Sequence, residues 1–193
     1  MAKPKVKAAD PIPALVETLL AELGEDPERQ GLKATPVRVS RALRELTDGY
    51  AMTPKQVVAG AVFDQDYDEM VVVKDIPFYS LCEHHLLPFF GHCHVGYLPK
   101  GKVIGLSKVP RLVGLFAHRL QIQEKMTKEV AEALETAVAP KGVGVVVEAR
   151  HLCMEMRGVQ KPGGHLITSY MLGTFRRDPR TRAEFLDLVR RPG

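Results

Sequence analysis

The sequence predicts an α+β fold, in which an N-terminal helical segment precedes a four-stranded, mainly antiparallel sheet with its helices on one face. Three observations support this prediction. The first third of the chain has apolar residues at helical spacing, whereas β-branched runs bounded by turn residues appear only after residue 69. From there the elements follow in the order strand, strand, helix, helix, strand, strand, which places two helices between two strand pairs. A hydrophobic content of 45% is enough to bury a core.

The helical segment contains three predicted helices. Residues 12–24 carry leucines at helical spacing and end at Gly24. Thr35-Pro36 begins an amphipathic helix that ends at Gly49, and Thr53-Pro54 begins a short third one, since threonine caps helices and proline suits their first position. We therefore divide the chain into a basic arm (1–10), a helical region (11–66) and an α+β domain (67–193), which the motifs below predict to be catalytic.

The α+β domain begins with a β-branched strand at residues 70–76, closed by Pro77. The later predicted elements are a strand at 89–98, a helix from the Ser107 cap to about His118, a helix at 123–138, strands at 143–154 and 165–175, and a helix at 183–190. The uncovered face and the edges of such a sheet favour an oligomer.

Charge and hydropathy exclude two classes of protein. Lysine and arginine total 27 against 23 acidic residues, and the +4 excess comes from an N-terminal lysine arm and a C-terminal arginine cluster. We interpret these ends as solvated rather than as nucleic-acid contacts. The chain has neither an apolar run of about 20 residues nor a signal sequence, which predicts a cytoplasmic protein without membrane contact.

A cluster of cysteines and histidines predicts a metal site. Cys82 and His85 have Cys-x-x-His spacing, and His151 and Cys153 share one face of the predicted strand at 143–154. Thiolates with an imidazole favour zinc, and three ligands with an open position are typical of catalytic sites. Three alternatives remain: a closed site completed by Cys93, His84 or His151, a Cys82–Cys153 disulfide, and unrelated buried thiols.

Two histidines lie next to these presumed ligands. His84 and His151 are candidates for general acid–base catalysis, because imidazole titrates near neutral pH. His92 and His94 also share a strand face, but we interpret them as structural residues.

The segment Gly105–Arg111 predicts an anion site. Ser107 caps a helix whose first turn carries Lys108 and Arg111, and cations there oppose the helix dipole unless an anion is bound. Arg157 offers a further bidentate contact to phosphate. The alternative is that these are simply solvated basic residues. Glu124 either stabilises its own helix start or accepts hydrogen bonds from a purine edge.

Four motifs together resemble type I GTP cyclohydrolase I. They are Cys82-Glu83-His84-His85, Gly105-Leu106-Ser107-Lys108-Val109-Pro110-Arg111, Arg119-Leu120-Gln121-Ile122-Gln123-Glu124 and His151-Leu152-Cys153-Met154-Glu155-Met156-Arg157-Gly158. The resemblance runs from about Thr35 to the C-terminus in the family's order and spacing.

The resemblance implies a tunnelling fold and usually a homodecamer with active sites at subunit interfaces. It also implies conversion of GTP and water to 7,8-dihydroneopterin triphosphate and formate, with one zinc ion per subunit on Cys82, His85 and Cys153. Glu124 is implied to bind the guanine, and Gln123 is implied as a further substrate contact. The implied triphosphate contacts are Lys108, Arg111 and Arg157, with Arg38 and Arg41 donated by a neighbouring subunit.

The implied chemistry is attack of a zinc-activated water on C8 of the purine, with His84 or His151 moving protons and Ser107 near the ribose. The sequence leaves three rival interpretations: a nitrile reductase of the same fold, an enzyme that stops at a ring-opened intermediate, and a zinc-stabilised nucleic-acid module. The Cys82, His85 and Cys153 triad argues against the first, and the lack of paired Cys-x-x-Cys spacing argues against the last.

Overall fold

The computed structural model describes residues 10–190, and the predicted arm at residues 1–10 lies outside this range except for Asp10. The described residues form an α+β protein, as predicted. The helices are α1 Ile12–Glu22, α2 Thr35–Leu46, α3 Pro54–Val58, α4 Lys108–Ala117, α5 Gln123–Val138, α6 Leu152–Glu155, α7 Thr174–Arg177 and α8 Pro179–Arg190. The strands are β1 Val62–Asp64, β2 Val71–Cys82, β3 Pro88–Leu98, β4 Lys102–Ile104, β5 Leu120–Gln121, β6 Gly142–His151 and β7 Leu166–Gly173.

The chain divides into two compact units, one ending at Leu46 and the other beginning at Thr47. In the first unit, Asp10 joins α1 to α2. Its carboxylate accepts hydrogen bonds from Ser40 and from the Arg44 guanidinium, with an Arg44 Nη2 to Asp10 Oδ1 distance of 2.5 Å. These bonds hold the pKa of Asp10 well below its ordinary value.

In the second unit, four long strands form an antiparallel sheet in the order β2-β3-β6-β7. The short strand β5 adds to β2 in parallel through Leu81 and Cys82, and β1 and β4 form a separate two-stranded sheet. The predicted four-stranded arrangement is therefore present, with these two additions.

Strand β2 continues through Pro77 to Cys82, so the prediction that proline closes this strand was wrong. The pairing with β3 shifts between Val73 and Ile76, and Asp75 in this bulge has a φ of 57°. Beyond the bulge, β2 pairs on one side only until Leu81, where β5 begins. A proline is tolerated there because the strand lies at the edge of the sheet.

Strand β6 ends at His151, before the predicted end at residue 154. The chain then enters the single helical turn α6, which contains Cys153. The expectation that His151 and Cys153 project from one face of a strand was therefore wrong. Likewise, the predicted strand at residues 165–175 is shorter, because the chain turns at Gly173 into α7.

One face of the sheet packs against α4 and α5 to form the main core. Alternate residues of β6 point into it and are completely buried, as are residues on the inner sides of both helices. The set includes Val143, Val145, Val147, Leu112, Val113, Met126, Val130 and Leu134.

The two helices between the strand pairs, α4 and α5, share one face of the sheet, and α7 and α8 cover one end of the opposite face. Phe175 and Phe185 are fully buried there and contact each other edge to face at 5.4 Å. The space for these rings comes from Gly96 and Gly144, which lie opposite each other on β3 and β6. A Cβ atom on Gly144 would lie 2.6 Å from the Phe175 ring.

We therefore expect Gly144→Ala to destabilise the protein by about 1–3 kcal/mol through overpacking. Denaturant unfolding measures the change. Gly114→Ala in α4 is the matched control, because its Cβ would meet nothing within 4 Å. The control should be neutral or more stable by about 0.5–1 kcal/mol, since alanine favours helices over glycine. Equal stabilities for the two variants would contradict this packing.

None of the helices within residues 10–190 is both long enough and apolar enough to cross a membrane.

Candidate active site and metal centre

The turn between β2 and β3 presents Cys82 and His85 together. Three backbone hydrogen bonds close it: the Cys82 N–H donates to the Leu87 carbonyl at 2.9 Å, and the Leu86 and His85 N–H groups donate to the Cys82 carbonyl at 2.8 and 3.3 Å. Leu86 has a φ of 56°, a conformation that costs energy for a residue with a Cβ. The turn places Cys82 Sγ 3.9 Å from His85 Nδ1.

Cys153 reaches the same place from α6, and the three ligand atoms lie within 4.8 Å of one another. A bidentate ion pair ties this short helix to the sheet, with Arg150 donating to Glu155 at 2.9 and 2.6 Å. The Glu155 side chain is only 6% exposed. Because a four-residue helix has little stability of its own, this pair is the anchor for Cys153.

The donor set fits a zinc ion, because thiolates together with an imidazole are the ligands that zinc prefers. Burial and the neighbouring Cys82 raise the pKa of the Cys153 thiol. All three cysteines are free, which leaves no Cys82–Cys153 disulfide. Cys93 is fully buried on β3 and lies outside the metal-binding group, so it does not complete a closed site with these ligands.

Within the described residues, the metal-binding group contains three ligands, not the four of a closed site. His84 is exposed, and its ring lies 6.2 Å from that of His85. His151 forms a hydrogen bond with the Gln123 side chain and is not part of the group. Three protein ligands are typical of catalytic zinc sites, which keep a fourth position for water or substrate.

His151 lies at the end of β6, beside the metal centre. Its ring stacks on Phe89, its neighbour across the strands, with centroids 4.7 Å apart and planes at 3°. His151 Nε2 lies 2.8 Å from Gln123 Oε1. Burial lowers the pKa of His151, while the charges of Glu124 and Glu155 partly oppose that change. The imidazole is therefore neutral near pH 7.

Gln123 and Glu124 begin α5 and differ in exposure. Glu124 is exposed, and its charge acts on His151, so a carboxylate is available beside the histidine. Gln123 is buried, and its amide bonds only to protein groups. The sequence predicts Gln123 as a substrate contact, but its side chain has no free polar group here. This geometry favours a role for Gln123 in positioning the His151 ring.

The predicted anion site lies away from the metal centre in the same chain. Ser107 lines a cleft of about 550 Å³ together with the β2 bulge, whereas Cys82 is at the far end of β2. From Pro77 to Cys82 the strand extends roughly 16 Å. At the other end of α4, β5 pairs with Leu81 and Cys82. The ten-residue helix, about 15 Å long, therefore separates the two regions.

The predicted basic residues fall into three places. Arg157 is exposed next to Cys153, where its charge lowers the pKa of that thiol and so opposes the larger effect of burial. At the start of α4, Arg111 is exposed and Lys108 Nζ donates to the Val57 carbonyl at 2.8 Å. Arg38 and Arg41 belong to α2 in the first compact unit. Within a single chain, Arg157 therefore lies near the metal centre, whereas Lys108 and Arg111 do not.

Sequence reasoning missed two supporting features of the site. One is the Arg150–Glu155 pair, which is not expected when residues 150–154 are assigned to a strand. The other is Phe89, whose ring stacks on His151 because the register of β3 with β6 places the two residues opposite each other. Glu155 itself stands within one of the four motifs, which was the only available signal.

Fold and site together define an α+β protein with a three-ligand Cys-His-Cys candidate metal centre and an adjacent neutral histidine. The chain belongs to the GTP cyclohydrolase I family, whose model matches residues 12–190. The resemblance drawn from the four motifs is thereby confirmed.

Curated relatives are similar along almost the whole chain. GTP cyclohydrolase 1 of Synechococcus sp. (strain JA-3-3Ab) is 58% identical over 179 residues, covering 93% of this chain and 78% of that protein. GTP cyclohydrolase 1 of Coxiella burnetii (strain RSA 493 / Nine Mile phase I) is 59% identical over 176 residues, covering 91% and 96%. That of Methylococcus capsulatus is 59% identical over 177 residues, covering 92% and 96%. Among solved structures, the apo crystal structure of the archaeosine synthase QueF-Like is similar over 54% of this chain and 93% of that chain, with a TM-score of 0.44 and 21% identity.

Proposed function

We propose that this chain catalyses hydrolytic opening of the guanine imidazole ring of GTP, with release of formate and rearrangement to 7,8-dihydroneopterin triphosphate. The observation that carries the proposal is the convergence of Cys82, His85 and Cys153 within 4.8 Å, beside His151, in a member of this family.

Cys82, His85 and Cys153 would hold one zinc ion per subunit. When bound, the ion would supply Lewis acidity that activates water for attack on C8 of guanine. The protein's part is to fix the ligands. The β2–β3 turn positions Cys82 and His85, and the Arg150–Glu155 pair positions the helical turn with Cys153.

Several side chains would bind the substrate and move its protons. Glu124, exposed beside His151, would accept hydrogen bonds from the purine N–H donors, which orients the base. His151, neutral and fixed in plane by Phe89, would take up and return protons as the ring opens. His84, exposed on the turn next to His85, is the second proton carrier.

The active site would be completed by a neighbouring subunit. Arg157 lies at the metal centre, but Ser107, Lys108 and Arg111 lie at the opposite end of α4. A triphosphate held by all of these residues requires two chains, with Ser107 of the second near the ribose. Arg38 and Arg41 would add further phosphate contacts from a neighbour. These requirements support an oligomer with active sites between subunits, and the family resemblance implies that it is a homodecamer of the tunnelling fold.

Mixed oligomers test this shared site. Chains with Cys153→Ser and chains with Arg111→Ala should each assemble into oligomers with little activity. Oligomers of both, made by co-expression, should recover about a quarter of wild-type activity, because one site in four combines two intact halves. Formate release measures the recovery.

The control pairs Cys153→Ser with His151→Asn, both on the metal half of the site, and should recover nothing. If the Arg111→Ala mixture also recovers nothing, although mass spectrometry shows both chains in one oligomer, the site lies within a single chain.

The reaction is tested with GTP isotopically labelled at C8. The proposal predicts that the label appears in formate while a pterin chromophore forms in equal amount. An enzyme that stops at a ring-opened intermediate would retain the label in the nucleotide. The cytoplasmic location stays a prediction from the sequence.

A further inference from the structure

The side chain of Gln123 uses all of its hydrogen-bonding groups inside the protein. It is 1% exposed, and Nε2 lies 3.0 Å from the Val147 carbonyl oxygen, 2.9 Å from that of Leu166 and 3.1 Å from Thr168 Oγ1. Peptide carbonyls only accept hydrogen bonds, so the atom that faces them must be the amide nitrogen. The orientation of this amide is therefore determined by its surroundings.

The other end of the same amide faces His151. Gln123 Oε1 lies 2.8 Å from His151 Nε2. An amide oxygen cannot donate, so Nε2 must carry the hydrogen of this bond. A neutral imidazole has one N–H, which leaves the lone pair on Nδ1. No hydrogen-bonding partner of Nδ1 occurs among residues 10–190.

Further contacts hold Gln123 and His151 in place. Thr127 Oγ1 donates to the Gln123 carbonyl at 2.6 Å and lies 2.7 Å from Thr168 Oγ1. Phe89, fully buried, lies parallel to the His151 ring. The plane of the ring and the position of its proton are thus set by separate groups.

We propose that Gln123 is a positioning residue that holds His151 as the Nε2–H tautomer, so that Nδ1 presents its lone pair to the substrate or its water. The inference rests on the acid–base role of His151 proposed above. It gives Gln123 a function without contact to guanine, in contrast to the role that the family resemblance implies.

Nitrogen NMR of the zinc-loaded wild-type protein tests the tautomer directly. With ¹⁵N-labelled histidine, at a pH where the ring is neutral, nitrogen atoms with and without hydrogen resonate far apart. The His151 signals are identified by their loss in His151→Asn. We expect the hydrogen on Nε2, and a hydrogen on Nδ1 with a bare Nε2 would overturn the proposal. This spectrum does not depend on turnover, so it judges the tautomer whether or not the chain opens GTP.

Kinetics test the positioning role. In zinc-loaded protein, Gln123→Met should lower kcat by about 10- to 100-fold, with unchanged zinc content and KM for GTP. Its matched control is Gln121→Met, another buried glutamine, which bonds to the Phe116 carbonyl and Glu129 instead of His151. The control should keep its kcat, and equal kcat values for the two variants would overturn the role.

A second variant separates positioning from folding. Gln123→Glu keeps an oxygen that accepts from His151 Nε2–H but loses the donor to the Val147 and Leu166 carbonyls. It should retain the Nε2–H signal and more of the kcat than Gln123→Met. If Gln123→Met does not fold, the wild-type spectrum alone decides. Wild-type protein that releases no formate would refute the proposed reaction instead.

Discussion

Replacement of Cys153 by serine should abolish zinc retention and formate release together. The Cys153 thiol is one of three ligands that converge within 4.8 Å, and a serine hydroxyl is a poor replacement for a thiolate toward zinc. We expect the zinc affinity to fall by more than the roughly 100-fold that loss of an outer-shell partner costs. Metal analysis after gel filtration and a formate assay measure the two effects.

Cys93→Ala is the matched control for this variant. Cys93 is fully buried on β3, and burial alone raises the pKa of its thiol. The control should keep its zinc while losing about 1–2 kcal/mol of stability to a small cavity. A Cys153→Ser protein with full activity and no metal would contradict the assignment of the site.

Replacement of His151 by asparagine should leave zinc in place but stall turnover. Asparagine can still donate to Gln123 Oε1, but it cannot exchange protons near neutral pH. Because general acid–base catalysis contributes about 10²- to 10⁴-fold, kcat should fall by that factor while zinc content is unchanged. Steady-state kinetics and metal analysis on the same preparation provide both values.

His92→Asn is the control for the loss of an imidazole. His92 is an exposed residue of β3 and lies opposite Glu148, on the face of the sheet away from the main core. Its replacement should leave kcat unchanged, in keeping with the structural role predicted for it. Normal product formation by His151→Asn would remove His151 from the proton transfers.

The local sequence was sufficient to predict that Cys82 and His85 act together, because they are only three residues apart, whereas the family resemblance was needed to add Cys153 as the third ligand. The way Cys153 reaches them was not predictable. The alternation of side chains along β6 predicts a strand that continues to residue 154, but the chain enters α6 at Leu152. The Arg150–Glu155 pair, whose two residues are five apart in the chain, holds this segment in a helical turn where simple alternation predicts a strand.

Pro77 is a second case in which the local sequence did not predict the fold correctly. Proline usually ends a strand, but β2 has no second neighbour at that point, and the rule does not apply at an edge. Similarly, Gly96 and Gly144 are unremarkable in sequence until the register of β3 with β6 places them together beneath Phe175 and Phe185. Such long-range pairings are not encoded in any local pattern.

The anion-site residues and the metal ligands lie too far apart in one chain to bind the same substrate. The pattern around Ser107, Lys108 and Arg111 predicts a phosphate site, and nothing in that pattern reports its distance from Cys82. The structure places α4 between the two regions, which led us to a site shared by two subunits.

The most direct test of the proposed function is the dependence of formate release on the metal. The protein is stripped with a chelator, supplied with increasing zinc and incubated with GTP. We predict no formate from the metal-free protein, and full formate and pterin production at one zinc ion per subunit. Undiminished formate release by metal-free protein would contradict the proposal.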